Sequence, residues 1–275
     1  MTARIDLHVH TTASDGTLTP TEVVCRAREL GLSAIAVTDH DTHEGIREAL
    51  DVGKQYGIEV IPGIEISVAY QNEGIHILGY FIDPDSPAIQ TLLDWVITER
   101  KRRNRLIAKA MQDDGIPVDM NRLKEKYPGT VIGRPHIAAE LVELGLADSV
   151  EDGFDRYLNK GCKYFREREY IPIEIAFSVI REAGGKAVIA HPLQYGLPEP
   201  EFLRMIEAMK AVGAVGMECR YLGYTAEETA ALEQLAEHYG LCVTGGSDFH
   251  GAQKPQNEMG TPEVPYALLE ALRNR

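Results

Sequence analysis

The sequence lacks the features that mark secreted, membrane-spanning and disulfide-stabilised proteins. No apolar run approaches the ~18 residues that a membrane-spanning helix needs, so no membrane association is expected. The four cysteines form no C-x-x-C pair and are too sparse for a disulfide framework, which favours reduced thiols. A predicted strand begins almost at the first residue, which leaves no room for a signal peptide. These absences predict a soluble, globular, cytoplasmic protein.

Positive charge is also scarce in this chain. It has 28 lysines and arginines against 42 aspartates and glutamates, and its net charge is −14. This balance argues against a general surface for polyanions such as duplex nucleic acid, although cations gathered in one pocket could still bind phosphate. With 275 residues and 44% hydrophobic content, the chain can bury a barrel-sized core, with or without an inserted domain.

What the sequence has instead is a regular alternation of strands and helices. Residues 5–9 alternate apolar and polar side chains, and Thr19, Pro20 and Glu22 form a capping box that opens the first helix. Similar strand and helix patterns follow to about residue 98 and resume after residue 170. They give about seven strands, mostly parallel and mostly followed by helices. This pattern predicts an α/β fold built as a (β/α)-type barrel.

Residues 99–170 interrupt the alternation with helical patterns alone. The first of these helices is expected to run from Pro87 to about Gly115, longer than an ordinary crossover helix. We therefore predict a barrel of residues 1–98 and 171–275 and a helical insertion of residues 99–170 that caps the substrate. Residues 99–105 form the one dense basic run. We interpret this run as a solvated helix face, with guidance of nucleotide or RNA phosphates as the alternative.

Metal-ligand residue types fall at the ends of the predicted strands. In a parallel barrel the carboxyl ends of the strands share one rim, where active sites are built. Buried imidazoles and carboxylates without partners would each be costly, so a shared cation is expected among them. An isolated H-x-H pair on a strand would more often be structural, but here nine residues share the rim. The predicted multinuclear metal site consists of His8, His10, Asp15, His40, Glu65, His76, His191, Asp248 and His250.

The order of these motifs resembles that of a known family. D-L-H-x-H-T-x-x-S-D-G at 6–16, T-D-H-D at 38–41, G-I-E at 63–65, A-H-P at 190–192 and G-S-D-F-H at 246–250 are similar to the motif series of the PHP (polymerase and histidinol phosphatase) family. The resemblance implies a distorted (β/α)7 barrel and two or three divalent metal ions. Manganese is the first choice of metal, with zinc, iron or magnesium as alternatives.

The resemblance also implies how the ligands are shared. His8, His10, Glu65 and Asp248 would hold the first metal, and Glu65 would bridge to a second metal held by His76 and His191. Asp15, His40 and His250 would hold the third. The insertion and the later motifs resemble the stand-alone branch that includes a 3′,5′-nucleotide bisphosphate phosphatase and a relative that trims RNA from the 5′ end.

Three further residues are predicted to contact the substrate. Arg134 and His136 lie in a G-R-P-H sequence that resembles the branch's phosphate-contacting element, and Arg220 follows a predicted strand. An arginine fork matches phosphate oxygens in a bidentate manner. A solvated or salt-bridged surface position remains the alternative for each arginine.

The predicted function is that of a metal-dependent phosphoesterase acting on a small phosphorylated substrate. The first choice is a 3′,5′-nucleotide bisphosphate, which would lose phosphate to give a nucleoside monophosphate; a short 5′-phosphorylated oligonucleotide is the second. A metal-bound hydroxide would attack phosphorus in line, and His191, Asp248 or His250 would assist protonation of the leaving group. Histidinol-phosphate phosphatase and a non-catalytic metal-stabilised module are the alternatives. No oligomeric state is predicted.

Overall fold

The computed structural model describes residues 3–71 and 73–275 and has a barrel-shaped sheet at its centre. Its strands are β1 Arg4–Val9, β2 Ala34–Val37, β3 Glu59–Tyr70, β4 Glu73–Tyr80, β5 Ile171–Pro172, β6 Lys186–Ile189, β7 Gly216–Tyr221, β8 Cys242–Gly246 and β9 Val264–Pro265. Its helices are α1 Pro20–Glu29, α2 Ile46–Tyr56, α3 Pro87–Asp113, α4 Met120–Lys126, α5 Arg134–Glu143, α6 Val150–Gly153, α7 Ile173–Glu182, α8 Glu199–Val212, α9 Ala226–Tyr239 and α10 Tyr266–Arg273.

The strand order confirms the predicted α/β barrel. The sheet runs β8-β7-β6-β4-β3-β2-β1-β9, and the short β5 pairs with β3. The barrel closes where β1 meets the segment after β8, because the backbone N–H of His10 donates to the carbonyl oxygen of Phe249 at 2.9 Å. Most of the wall is parallel, as predicted.

Two strands are exceptions. The short β9 runs antiparallel to β1, and β4 runs antiparallel to both β3 and β6. Only two residues separate β3 from β4 in the sequence. Two residues can join a hairpin but cannot form the crossover that parallel neighbours need. This hairpin distorts the barrel and brings Glu65 of β3 close to His76 of β4.

Helices cover the outside of the barrel and fix its wall through apolar packing. Val23 and Val24 of α1 and Ala49 of α2 form a cluster with Ile35 and Val37 of β2. A larger cluster joins α3, α7, α8 and α9 to β3, β4, β6 and β7. The packed wall is therefore a rigid frame for the side chains at its rim.

None of the helices described is long and apolar enough to cross a membrane.

The long helix α3 belongs to two apolar clusters. Ile89 and Val96 in its first half pack into the barrel cluster, whereas Ile107 and Met111 in its second half pack into a separate cluster with α5. The predicted domain boundary at residue 99 lies inside this continuous helix. The assignment of residues 99–170 as a substrate cap stays a prediction.

Two hydrogen bonds join the segment between α4 and α5 to the loop that follows β1. The hydroxyl of Thr130 donates to the carbonyl oxygen of Thr12 at 2.7 Å, and the backbone N–H of Val131 donates to that of Ala13 at 3.1 Å. Residues 11–16 follow β1 directly. The segment between α4 and α5 therefore lies against the loop that carries Asp15.

Candidate metal centre and arginine-lined cavity

Glu65 is the centre of the predicted ligand set. It lies near the middle of β3 and is completely buried. Five imidazole nitrogens lie within 3.3 Å of its two carboxylate oxygens. They are His40 Nδ1 (3.0 Å), His10 Nε2 (3.2 Å) and His8 Nε2 (3.3 Å) around Oε2, and His191 Nε2 (2.8 Å) and His76 Nδ1 (2.9 Å) around Oε1.

Two more carboxylates extend this group. Asp248 Oδ1 lies 3.2 Å from His10 Nε2 and 3.5 Å from His8 Nε2. Asp15 Oδ1 lies 3.4 Å from His250 Nε2. All nine residues predicted as metal ligands therefore lie together, and we call them the Glu65 cluster.

Ligand atoms in the Glu65 cluster form three tight groups. The atoms within each group all lie within 4.8 Å of one another: His8, His10, Glu65 and Asp248; His10, Asp15, His40 and His250; and His40, Glu65 and His76. The first group has the composition that the resemblance implies. The other two groups differ from the sets that the resemblance implies. His10 joins Asp15, His40 and His250, and His40 joins Glu65 and His76. His191 is in none of the three groups, although its Nε2 lies 2.8 Å from Glu65 Oε1. The individual ligand assignments remain predictions.

The Glu65 cluster contains buried polar atoms without hydrogen-bond partners. These atoms are His8 Nε2, His10 Nε2, Asp15 Oδ1, His40 Nδ1, Glu65 Oε2, His191 Nδ1 and His250 Nε2. Leaving such atoms unsatisfied costs free energy, and native proteins avoid it. Imidazole nitrogens with carboxylate oxygens are a common donor set for divalent transition metals. The residues present therefore fit divalent metal binding.

The protonation of the cluster is consistent with this fit. Burial lowers the pKa of His76 and of His250 to about 4, which leaves both rings neutral near pH 7. Burial raises the pKa of Glu65, but the neighbouring imidazoles, His40 first, hold it well below its usual range. Burial also opposes a charge on His10, but Asp248 and Glu65 raise its pKa to about 9. A metal ion and a proton therefore compete for His10.

Three residues in the loops at or next to the Glu65 cluster have strained backbone conformations. Asp41, His191 and Asp248 have positive φ angles of 54°, 24° and 53°. Such conformations cost roughly 1–3 kcal/mol for a residue other than glycine, so the surroundings must enforce them. Around Asp41, the backbone N–H of Ser67 donates to Oδ1 at 2.8 Å.

Asp248 is held by two donors that lie outside the predicted set. The ammonium of Lys254 and the hydroxyl of Tyr221 donate to its Oδ2 at 2.7 Å and 2.8 Å. Its Oδ1 is thereby left to face His8 and His10. Burial raises the pKa of Tyr221, so the phenol keeps the proton that it donates.

A cavity of ≈ 740 Å³ adjoins the Glu65 cluster. Asp15, His40, His76 and His250 line it on the barrel side. The same cavity is lined by four largely buried arginines, Arg100, Arg103, Arg134 and Arg168, which we call the arginine cluster.

The arginine cluster has far fewer negative partners than positive charges. Among the described residues, Asp41 is the one carboxylate that pairs with it, through Arg100 Nε at 2.7 Å and Arg168 at 3.5 Å. Arg103 donates to the side-chain oxygen of Asn104 at 2.9 and 3.1 Å, and burial and the neighbouring guanidiniums lower its pKa well below the usual range. The surplus charge makes the part of the cavity next to these arginines complementary to phosphate.

The chain is similar to proteins of a known family. The PHP domain model matches residues 6–175, which is more than half of the chain. The chain belongs to the PHP family. Its PHP-family relatives include the 5′-3′ exoribonuclease of Haemophilus influenzae, 39% identical over 91% of each chain. They also include the 3′,5′-nucleoside bisphosphate phosphatase of Chromobacterium violaceum, 32% identical over 96% of this chain and 93% of the relative.

Solved structures agree with the PHP assignment. A Bifidobacterium adolescentis protein described as a metal-dependent phosphoesterase superposes with a TM-score of 0.90 and 31% identity, covering 98% of this chain and 95% of that one. A Chromobacterium violaceum protein with bound sulfate superposes with a TM-score of 0.89, also at 31% identity, covering 99% and 96%. This PHP protein is thus a metal-dependent phosphoesterase. The alternative of a non-catalytic, metal-stabilised module is therefore wrong.

Of the three predicted substrate residues, only Arg134 lines the cavity of this PHP protein. His136 is buried, and its Nδ1 accepts the backbone N–H of Gly133 at 2.9 Å, so its ring caps the start of α5. Arg220 is directed away: its Nε donates to Glu233 of α9 at 2.8 Å.

A β-bulge explains the outcome for Arg220. Strand β7 pairs regularly with β8 up to Glu218, and the register then shifts before Arg220. A bulge adds one residue and reverses which side chains face inward. Tyr221 therefore enters the site of this PHP protein in place of Arg220.

The basic run also departs from the prediction of a solvated face. Arg100 and Arg103 are only 9% and 4% exposed, and both line the cavity. Their spacing of three residues places them on one side of α3. Arg168, in the sequence F-R-E-R-E-Y, and Glu218, between the apolar residues Met217 and Cys219, were not predicted from the sequence as site residues. The available signals were the i, i+3 spacing for Arg100 and Arg103 and, for Glu218, a charge between two apolar strand residues.

Proposed function

We propose that this PHP phosphoesterase removes phosphate from a 3′,5′-nucleoside bisphosphate, with a short 5′-phosphorylated oligonucleotide as the second substrate. The observation that carries the proposal is the pairing of the Glu65 cluster with the arginine cluster across one cavity. A substrate with two phosphates could place one at each cluster. The relatives' named substrates, a nucleoside bisphosphate and RNA, both carry more than one phosphate.

The Glu65 cluster would hold the divalent ions and the reacting phosphate. Bound ions supply positive charge and lower the pKa of a coordinated water toward ~7. Hydrogen bonds from Lys254 and Tyr221 orient Asp248. The Glu65 carboxylate lies between the imidazole of His40, near Oε2, and that of His76, near Oε1. His191, Asp248 and His250 are the residues proposed to assist protonation of the leaving oxygen.

The arginine cluster would hold the phosphate that is not hydrolysed. Arg103 and Arg134 have no carboxylate partner in the part of the chain that the structure describes, so their charges are available to a ligand. Guanidinium forks bind phosphate oxygens in pairs, which would fix the orientation of the nucleotide. The cavity volume of ≈ 740 Å³ lies in the range that small-molecule ligands occupy.

A substrate comparison tests the proposal. Protein supplied with Mn²⁺ would be given a 3′,5′-bisphosphate, a 5′-phosphorylated oligonucleotide and histidinol phosphate, and released phosphate and mononucleotide would be measured. We expect the bisphosphate to have the highest kcat/KM and His191→Ala to lose most of it. Preference for histidinol phosphate, whose single phosphate leaves one of the two clusters unused, would contradict the substrate assignment.

A further inference from the structure

Glu218 is a fully buried carboxylate that contacts two members of the Glu65 cluster at once. It lies on β7 between the buried apolar residues Met217 and Cys219. Its Oε1 is 3.0 Å from His8 Nδ1, and its Oε2 accepts the backbone N–H of His191 at 2.8 Å. It is not itself in any of the candidate metal-binding groups.

The contact with His8 determines which ring nitrogen carries the proton. A carboxylate oxygen accepts hydrogen bonds, so Nδ1 is the donor toward Glu218. Nε2 is then the ring nitrogen left for a metal, and it lies on the other side, 3.3 Å from Glu65 Oε2 and 3.5 Å from Asp248 Oδ1. A neutral imidazole binds a metal through its unprotonated nitrogen. Glu218 therefore selects the tautomer of His8 that can bind a metal at Nε2.

The contact with His191 acts on the backbone. The φ angle of His191 is 24°, a conformation that costs free energy in any residue except glycine. The hydrogen bond from its N–H to Glu218 helps to hold this conformation. The same conformation brings His191 Nε2 to 2.8 Å from Glu65 Oε1. One carboxylate thus reaches the ring of one candidate ligand and the backbone of another.

We propose that Glu218 is a positioning residue that sets the tautomer of His8 and the backbone of His191, and thereby the metal affinity of the centre. The proposal depends on the metal-ligand roles proposed for these histidines, and it is independent of the substrate. Carboxylates that orient ligating histidines commonly change metal affinity roughly 10- to 100-fold when they are replaced.

The test variant is Glu218→Gln, which keeps the size of the side chain. If its amide oxygen accepts from His191, its NH₂ group faces His8 Nδ1 and forces the His8 proton onto Nε2. We expect the affinity for Zn²⁺ and Mn²⁺, measured by calorimetry and by metal content after dialysis, to fall roughly 10- to 100-fold. The unfolding temperature of the metal-free protein should change far less than its increase on metal addition.

Glu140→Gln is the matched control. Glu140 is also a completely buried glutamate, but it lies on α5 and pairs with Arg122 and Lys126. Its variant should bind metal as the wild type does. Glu218→Asp is a second variant that keeps the acceptor-only group, and it should lose less affinity than Glu218→Gln.

Nitrogen NMR of ¹⁵N-histidine-labelled, zinc-loaded protein reads the tautomer directly. The signal of His8, assigned by its loss in His8→Gln, should show a protonated Nδ1 in the wild type and an altered pattern in Glu218→Gln. Wild-type affinity and an unchanged signal in that variant would overturn the proposal. Equal or greater loss in Glu218→Asp would overturn the tautomer argument. A wild type that binds no divalent ion would overturn both the metal-ligand proposal and this one.

Discussion

At the scale of single residues, Arg103 combines a cost in stability with a proposed gain in binding. It is 4% exposed, and its hydrogen bonds from Nε and Nη2 go to the neutral side chain of Asn104. Burial lowers the pKa of Arg103, and the guanidiniums of three neighbouring arginines lower this pKa further. A buried charge without an opposite partner destabilises a fold, so a function must account for its presence.

Replacing Arg103 with Met should therefore stabilise the protein and weaken substrate binding. We expect the free energy of unfolding to rise by ~1–3 kcal/mol, because an uncompensated charge is removed from the interior. The KM for a bisphosphate should rise roughly 10- to 100-fold with little change in kcat, since the contact is with the phosphate that does not react. Chemical denaturation and steady-state kinetics measure the two effects.

Arg102→Ala is the control for this prediction. Arg102 is the adjacent residue of α3, but it is exposed and pairs with Glu99 at 2.8 Å. Neither stability nor KM should change by more than a small factor. A loss of stability in Arg103→Met, or an unchanged KM, would contradict the role assigned to the arginine cluster.

The candidate metal ligands and the arginines differ in how far the sequence predicts them. His8, His40 and His250 stand in short motifs next to strand ends, and a barrel brings strand ends together whatever the details of packing. Arg103 and Arg168 are 65 positions apart and meet only because α3 and the segment before β5 approach the same cavity. The spacing of Arg103 from Arg100 indicates a shared face of α3, but it does not indicate that this face is buried, and nothing in the sequence around Arg168 distinguishes it from an exposed arginine.

At the scale of secondary-structure elements, the bulge in β7 decides which side chain reaches Asp248. Without it, strict alternation from Glu218 would direct Arg220 inward and Tyr221 outward. With it, Tyr221 donates to Asp248 and Arg220 pairs with α9. A bulge of this kind cannot be read from the alternation of apolar residues, because it changes the phase of that alternation.

Tyr221→Phe and Arg220→Ala should consequently behave in opposite ways. Loss of the Tyr221 hydroxyl leaves Asp248 with Lys254 as its remaining side-chain donor at Oδ2. We expect kcat/KM to fall about tenfold, which corresponds to ~1.4 kcal/mol. Arg220→Ala removes a half-exposed ion pair, so it should lower stability by less than ~1 kcal/mol and leave the kinetics unchanged. The reverse result would place Arg220 at the site.

Helix α3 and strand β4 show a similar limit of prediction. The helix itself follows from its sequence pattern, but its division between two apolar clusters depends on which other segments pack against each half. The direction of β4 follows from the two-residue connection to β3, a constraint that alternation within each strand does not reveal.

At the scale of the whole molecule, the Glu65 cluster joins the two ends of the chain. Its members extend from His8 on β1 to His250 after β8, and the barrel closes between these same segments. Asp15, Glu65 and Asp248 also place three negative charges in a buried volume of a protein whose net charge is −14. A cation bound there would offset this repulsion and cross-link β1 to the segment that follows β8.

Metal addition should therefore raise the stability of the whole protein. At a free metal concentration of ~100 times the Kd, the free energy of unfolding rises by ~2.7 kcal/mol. For a chain of this size that corresponds to an increase in Tm of roughly 5–10 °C. Thermal unfolding with added Mn²⁺ or with a chelator measures the difference.

Two variants show whether the increase in Tm arises at the Glu65 cluster. Glu65→Gln removes the carboxylate charge that five imidazoles approach, so most of the increase should be lost. His43→Ala removes a histidine that lies outside the three candidate ligand groups, and the increase should remain. An equal increase in both variants would mean that the ion acts elsewhere, because a cation held by the Glu65 cluster cannot bind equally well after its central charge is removed.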